Sequence, residues 1–416
     1  MRAYIAVTAA YWAFMLSDGA LRMLVLLHFN ALGFSPLQLA WLFLLYELAG
    51  ILTNLAAGWL AARFGLAATL HAGLALQIAA LIALSQLDPA WAIATSVIFV
   101  MAVQGVSGVA KDLAKMSSKS AVKLLAPTED GGLFRWVALL TGSKNAVKGA
   151  GFFLGAALLA VAGFQAALWA MAAVLTTILI AVLLFLPKGL PGRMKSAEAW
   201  GGWRSPDARI NRLSLARLFL FGARDVWFVV GIPVYFQAVL SDGTPDSRRA
   251  AFFLIGGFLA LWIIAYGAVQ AMAPRILGGK AQALTATTQK AALWSGLLVP
   301  IPFALAALAL WAGGPSPWLT ATLIAGLLAF GFVFAVNSSV HSYLILAFGQ
   351  ADRITRDVGF YYMANAAGRL IGTLLSGLSY HWGGLPACLA TAGLMALAAW
   401  LATRRLPATV TAQATH

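Results

Sequence analysis

Seven basic residues sit inside long apolar stretches of this chain, away from their outermost turns: Arg22, Lys111, Lys115, Lys144, Lys148, Arg224 and Arg369. Each costs about 2.5 to 3.5 kcal/mol at the centre of a membrane-crossing helix, so such a charge must face a water-filled cavity, a counter-charge or a ligand. Four acids share these stretches, Asp18, Glu47, Asp112 and Asp225. Pairing every acid with one base leaves three positive charges without a protein partner. A cavity holding that excess draws multiply charged anions, with arginine acting as a bidentate fork and lysine as a point charge.

The same residues also have a structural reading. Lys111, Lys115, Lys119 and Lys123 recur every four residues and line one helical face, drifting slowly around it. The last two read as loop charges at the membrane edge, while Lys111 and Lys115 fit either role. Lys144 and Lys148, one turn apart, fit pairing with Asp112 or Glu47 as well as a cavity wall. Asp18 with Arg22, and Asp225 with Arg224, fit ion pairs that fix helix packing. Asp18, Glu47, Asp112 and Asp225 are therefore candidates for ion pairing or for coupling. Ser117, Asn145, Asn337 and Asn365 are candidate ligand contacts, and their alternative role is hydrogen-bonded glue between helices.

The elements that must position these groups are membrane helices. Of 416 residues 62% are hydrophobic and 10% charged, against about half and about a quarter in ordinary soluble domains. Apolar stretches of roughly 20 residues recur, the length that crosses a hydrocarbon core of about 30 Å. Runs such as 154 to 168 do not alternate in polarity, which excludes a β-barrel. Pro, Gly and charge punctuation predicts an all-α polytopic protein of about twelve spans, near 4–29, 36–61, 66–86, 92–118, 135–162, 166–186, 213–238, 250–273, 289–311, 318–345, 357–380 and 385–403. The polar stretch 187–212 divides them into two pseudo-symmetric six-helix halves, 1–186 and 213–403, and 404–416 is a tail. The halves resemble each other: Phe14, Asp18, Phe29 and Ala31 match Phe221, Asp225, Phe236 and Ala238, while Lys148 and Gly151 match Arg369 and Gly372.

A formal net charge of +15 suggests nucleic acid in a soluble protein. Here much of the excess lies in short connections, as cytoplasmic loops require, and no aromatic-basic nucleic-acid module is visible. Arg63, Lys123, Lys188, Arg275, Arg353 and Arg404 all fall on the side of the N-terminus, so both termini are expected in the cytoplasm. Arg248 and Arg249 are the exception. Cys388 is the only cysteine and the five histidines show no ligand spacing, so no metal site or cofactor is expected.

Twelve spans in two similar halves, a basic central loop and the segment Gly58-Trp-Leu-Ala-Ala-Arg63-Phe-Gly65 together resemble the major facilitator superfamily. The segment is similar to that family's gating-loop motif after the second span, with Ala62 where the family has Asp. A closer likeness joins AYWAFMLSDGALRMLVLLHF (10–29), GVAKDLAKMSSKSAVKL (108–124), WVALLTGSKNAVKGAGFFLG (136–155) and FLFGARDVWFVVGIPV (219–234) to the ArsJ-type organoarsenical efflux transporters of bacteria. That resemblance implies an inner-membrane exporter conferring arsenate resistance. The substrate it implies is 1-arseno-3-phosphoglycerate, made when glyceraldehyde-3-phosphate dehydrogenase uses arsenate in place of phosphate. The enzyme is then a functional partner that need not touch this chain.

Other functions are weaker on the residues. An organophosphate/phosphate antiporter shares the fold and the need for paired cations. An intramembrane enzyme would need a histidine cluster or a hydrolase acid pair, neither of which appears, and a sensor would need a soluble domain larger than the central linker.

Overall fold

The computed structural model describes residues 2–125, 132–185, 205–277, 284–348 and 354–406. These are helical nearly throughout, and glycine and proline set the breaks. Helix α1 (Arg2–Ala31) ends before Gly33, whose φ of 85° suits a residue without Cβ. Ser35 then caps α2 (Pro36–Leu42) through a capping box with Gln38, and Pro36 occupies the first turn, where no amide donor is missed. After one residue α3 (Leu44–Phe64) continues the second span, Gly65 turns the chain, and α4 (Leu66–Ser85) returns. Helices α5 (Ile93–Leu125), α6 (Gly132–Ala162) and α7 (Phe164–Phe185) follow.

Asp207 caps α8 (Ala208–Val226), which passes through a π-helical turn at Trp227–Gly231 into α9 (Ile232–Leu240). Thereafter come α10 (Pro245–Ile276), α11 (Leu284–Leu298), α12 (Pro300–Ala312), α13 (Pro317–Phe348) and α14 (Ile354–Arg404). Eleven continuous segments are long and apolar enough to cross a membrane. One of them, Asp357–Arg404, has 48 residues, about 72 Å of helix at 1.5 Å per residue and more than twice a hydrocarbon core. Non-helical backbone at Gly383 and Gly384 breaks it, so it is two crossings and the described chain makes twelve.

Several boundaries differ from the sequence reading for one reason. Charged residues end the hydrophobic run but not the helix, which continues beyond the hydrocarbon. The seventh span was expected from 213 and starts at Ala208, so the end of the 187–212 stretch is already helical, while 186–204 lies outside the described residues. The ninth was expected from 289 and starts at Leu284. Much of the tail, 407–416, also lies outside the described residues.

Packing divides the chain into two compact units: Met1–Trp200 with Val230–Gly267, and Gly201–Val229 with Ala268–His416. In the first, α1 is buried along Tyr11, Phe14, Ala20, Leu24 and Leu27. It can approach α6 closely because Gly151 has no side chain; a Cβ there would lie 2.4 Å from the Leu16 carbonyl. In the second unit α8 takes the same place against α14, where a Cβ on Gly372 would lie 2.8 Å from the Gly222 carbonyl. Leu184, Phe185, Leu310, Trp311 and Trp382 are more than 70% exposed, which only a lipid environment makes tolerable over such helices.

Candidate functional site

In the first unit the charged residues of α1, α3, α5 and α6 form one network. Arg22 donates through Nη1 to Glu47 Oε1 at 2.9 Å and lies over the rings of Phe43 (5.0 Å) and Tyr46 (5.5 Å). Tyr46 donates its hydroxyl to Asp18 at 2.6 Å, and Lys148 Nζ lies 3.5 Å from the other carboxylate oxygen of Asp18. Lys111 sits 4.0 Å over the Tyr46 ring and 3.9 Å from Asp112. Asp112 accepts from Thr53 (2.7 Å) and Lys115 (3.0 Å), and Lys115 also donates to Asn54 Oδ1. The three acids are no more than 2% exposed, whereas the Lys115 and Lys148 side chains keep 17% and 15% exposure. Buried acids thus hold cations whose side chains keep partial exposure.

In the second unit Asp225, 1% exposed, is gripped by two guanidiniums: Arg224 donates through Nε at 2.6 Å and Arg369 through Nε at 3.2 Å. The Arg224 guanidinium lies 4.9 Å from the Phe221 ring and 5.5 Å from Phe334. Asp18–Lys148, between α1 and α6, and Asp225–Arg369, between α8 and α14, pair the very residues that match between the halves of the sequence, so the likeness extends to an acid set against a base.

Two partners differ from the sequence reading. Arg22, placed with Asp18 by proximity along the helix, reaches instead to Glu47 on α3, and Asp18 is taken by Lys148 rather than Arg22. Both groups point away from α1, and interhelical reach overrides spacing within one helix. Ser117 lies against the Thr69 hydroxyl and donates to the Leu113 carbonyl, within the α4–α5 contact. Asn145 packs its Cβ beside Gly267 and is half-buried, as is Lys144. Asn337 is fully buried, and Asn365 has a buried Oδ1 with no hydrogen-bond partner among the described residues. Gly58 and Arg63 lie within α3, whose side chains there are outside the description, as are those of Lys119 and Lys123; Gly65 provides the turn into α4.

The sequence reading missed Tyr46 and Arg217. Tyr46 resembles any interfacial aromatic until its hydroxyl is seen on Asp18. Arg217 stands four residues after the expected start of its span and so looked peripheral; with α8 beginning at Ala208 it is more than two turns inside.

Outside the spans, Asp207 has its carboxyl lowered although burial opposes this, because Arg209 binds it through side chain, backbone and charge. Asp242, in the turn before α10, is held down at about 2 by hydrogen bonds from Ser247 and Thr244.

Helices that cross the membrane twelve times around buried acid–base clusters define a polytopic transport protein. A family model for the Major Facilitator Superfamily matches residues 7–345, and the chain belongs to that superfamily. A solved structure reported as "Structural insights into substrate recognition in proton dependent oligopeptide transporters" is similar in fold, with a TM-score of 0.68 and 14% identity over 97% of each chain. Comparison with curated proteins gives no match.

Proposed function

We propose that the protein exports a small organic polyanion across a bacterial inner membrane by alternating access, with 1-arseno-3-phosphoglycerate as substrate and arsenate resistance as the result. The observation that carries this reading is the surplus of basic side chains within the helices. In the first unit Arg22, Lys111, Lys115, Lys144 and Lys148 share helices with Asp18, Glu47 and Asp112. In the second, Arg217, Arg224 and Arg369 share them with Asp225, while Asp357, at the start of α14, accepts from Ser205 at 2.7 Å. Pairing within the protein neutralises part of this charge, and a polyanion supplies the rest. Membership of the superfamily supports transport. The four stretches similar to ArsJ-type transporters supply the particular substrate, and glyceraldehyde-3-phosphate dehydrogenase supplies it in the cell.

On this reading the halves 1–186 and 213–403, joined by 187–212, alternate about a midplane site, with both termini in the cytoplasm. Arg22, Lys111, Lys115, Lys144, Lys148, Arg224 and Arg369 attract the anion, and Asn145, Asn337 and Asn365 orient it. The acids hold the bases in place until substrate arrives.

Everted vesicles test the proposal. Uptake is expected with the enzyme mixture that makes the arseno ester, and not with arsenate alone or 3-phosphoglycerate alone. Equal uptake of arsenate alone refutes the substrate. A requirement for phosphate on the opposite side, with exchange of 3-phosphoglycerate, identifies an organophosphate/phosphate antiporter instead. Arg224→Lys is expected to lower uptake at least tenfold at equal expression, because charge survives but the planar fork does not.

A further inference from the structure

Arg217 on α8 lies outside the acid–base cluster of the second unit. It is 5% exposed, and no carboxylate lies within 4 Å of it among the described residues. Its Nη1 donates to the Ser338 carbonyl at 3.1 Å and the Ser338 hydroxyl at 2.9 Å, and its Nε has no partner among the described residues. Phe221 separates it from Arg224: the ring centroid is 4.0 Å from the Arg217 guanidinium and 4.9 Å from that of Arg224. The Arg224 charge is answered by Asp225, whereas that of Arg217 meets no carboxylate among the described residues, only the Phe221 ring and, at 4.9 Å, the Tyr361 ring.

Beside Ser338, α13 places two fully buried side chains. Asn337 has neither amide atom bonded and His341 has neither ring nitrogen bonded among the described residues. They are one turn apart on the same face, and His341 follows Ser338 by three residues, one turn along the α13 segment to which Arg217 is bonded. Buried polar side chains are nearly always partnered. An arginine that merely tied α8 to α13 would require no such cluster; the Ser338 carbonyl would suffice. Unused polar groups on the α13 segment that Arg217 binds, together with a guanidinium that has no carboxylate within 4 Å among the described residues, match the several oxygens of a tetrahedral oxyanion.

We propose that Arg217, with Asn337, Ser338 and His341, forms a second oxyanion site that takes a phosphate-monoester or arsenate group, two helical turns along α8 from the Arg224–Asp225–Arg369 cluster. The proposal rests on the anion-transport reading and deepens it. A substrate with two anionic ends then has two receptors in one unit, one guanidinium on each side of Phe221. A single-ended anion uses only one of them.

The test uses the full-length protein in a non-ionic detergent, with thermal unfolding followed against 3-phosphoglycerate and inorganic phosphate at constant ionic strength. Arg217→Gln is expected to raise the half-saturating concentration of 3-phosphoglycerate at least tenfold, and Arg217→Lys severalfold. His341→Gln, close in volume and uncharged, is expected to raise it severalfold and serves if the arginine variants do not fold. Wild-type half-saturation in folded Arg217→Gln, or in His341→Gln where that alone folds, overturns the site. If such a variant also transports the arseno ester normally in vesicles, anion transport stands and only this site falls. If neither soluble anion stabilises the wild type, the site is overturned, and absent flux in vesicles then removes the transport reading with it. Stabilisation by phosphatidic acid but by no soluble phosphate points to a lipid headgroup and overturns the site as a substrate receptor.

Discussion

Asp225 holds two guanidiniums with 1% of its side chain exposed, so its charge is what makes Arg224 and Arg369 tolerable inside the bundle. Asp225→Asn leaves both without an anion, and removing one partner of a buried pair costs about 3–5 kcal/mol. Asp18→Asn is expected to cost less, since an amide oxygen still accepts from Tyr46 and only the 3.5 Å contact with Lys148 loses its charge. Asp246→Asn, at a 97% exposed side chain, is the control with no measurable change. Thermal unfolding of the three purified variants checks the order, and equal loss for Asp225 and Asp18 would contradict it. That these residues need partners was legible in the sequence, because a charge within an apolar run is costly wherever it points. The Arg224–Asp225 pair, between neighbours in the chain, was legible as well, but the partners across helices were not. Whether Arg22 meets Asp18 or Glu47 depends on how α1 is rotated against α3, which no spacing within α1 encodes.

Close helix contact makes glycine unequal along the chain. A Cβ at Gly155 would lie 2.1 Å from the Ala20 carbonyl, whereas at Gly257 it would meet nothing within 4 Å. Gly155→Ala is therefore expected to lower the unfolding temperature by pushing α6 from α1. Gly257→Ala is expected to hold or raise it, since alanine is up to about 1 kcal/mol better than glycine within a helix. A loss at Gly257 matching that at Gly155 would show that backbone approach is not the cause. The turn between α9 and α10 has a pH dependence of its own. The Asp242 carboxyl sits at about 2, below the unfolded carboxylate value, because Ser247 and Thr244 donate to its charged form. Its contribution is complete above about pH 4 and disappears as pH falls through about 2. Hydrogen exchange at Thr244 and Ser247 should rise over that interval in the wild type and be high already at pH 5 in Asp242→Ala. At this scale the sequence showed which segments cross, since length and hydropathy decide that. It missed the interruption at Phe43, the π-helical turn at Trp227–Gly231 and the early start of α8, where packing and capping overrule hydropathy.

At the scale of the molecule, the orientation in the bilayer follows from where the basic connections fall, and Arg248 and Arg249 are the residues that strain the rule. Both line a groove with Leu159, Ala160 and Gly163, so the turn before α10 lies beside the turn between α6 and α7, at the same end of the first unit. That end is opposite the Gly65 turn, because successive helices run in opposite directions. Two arginines there are outweighed by the basic residues of the opposite connections, and orientation is set by the difference rather than by any one loop. The expected arrangement puts residue 249 outside and residue 405 in the cytoplasm. Cys388 is the sole cysteine and is fully buried, so Cys388→Ser provides a background without other thiols. Into it Arg249→Cys and Arg405→Cys are introduced singly, both positions being exposed. A membrane-impermeant maleimide added to spheroplasts should label the first and spare the second, and everted vesicles should reverse the pattern. Labelling of residue 405 in intact spheroplasts would overturn this orientation.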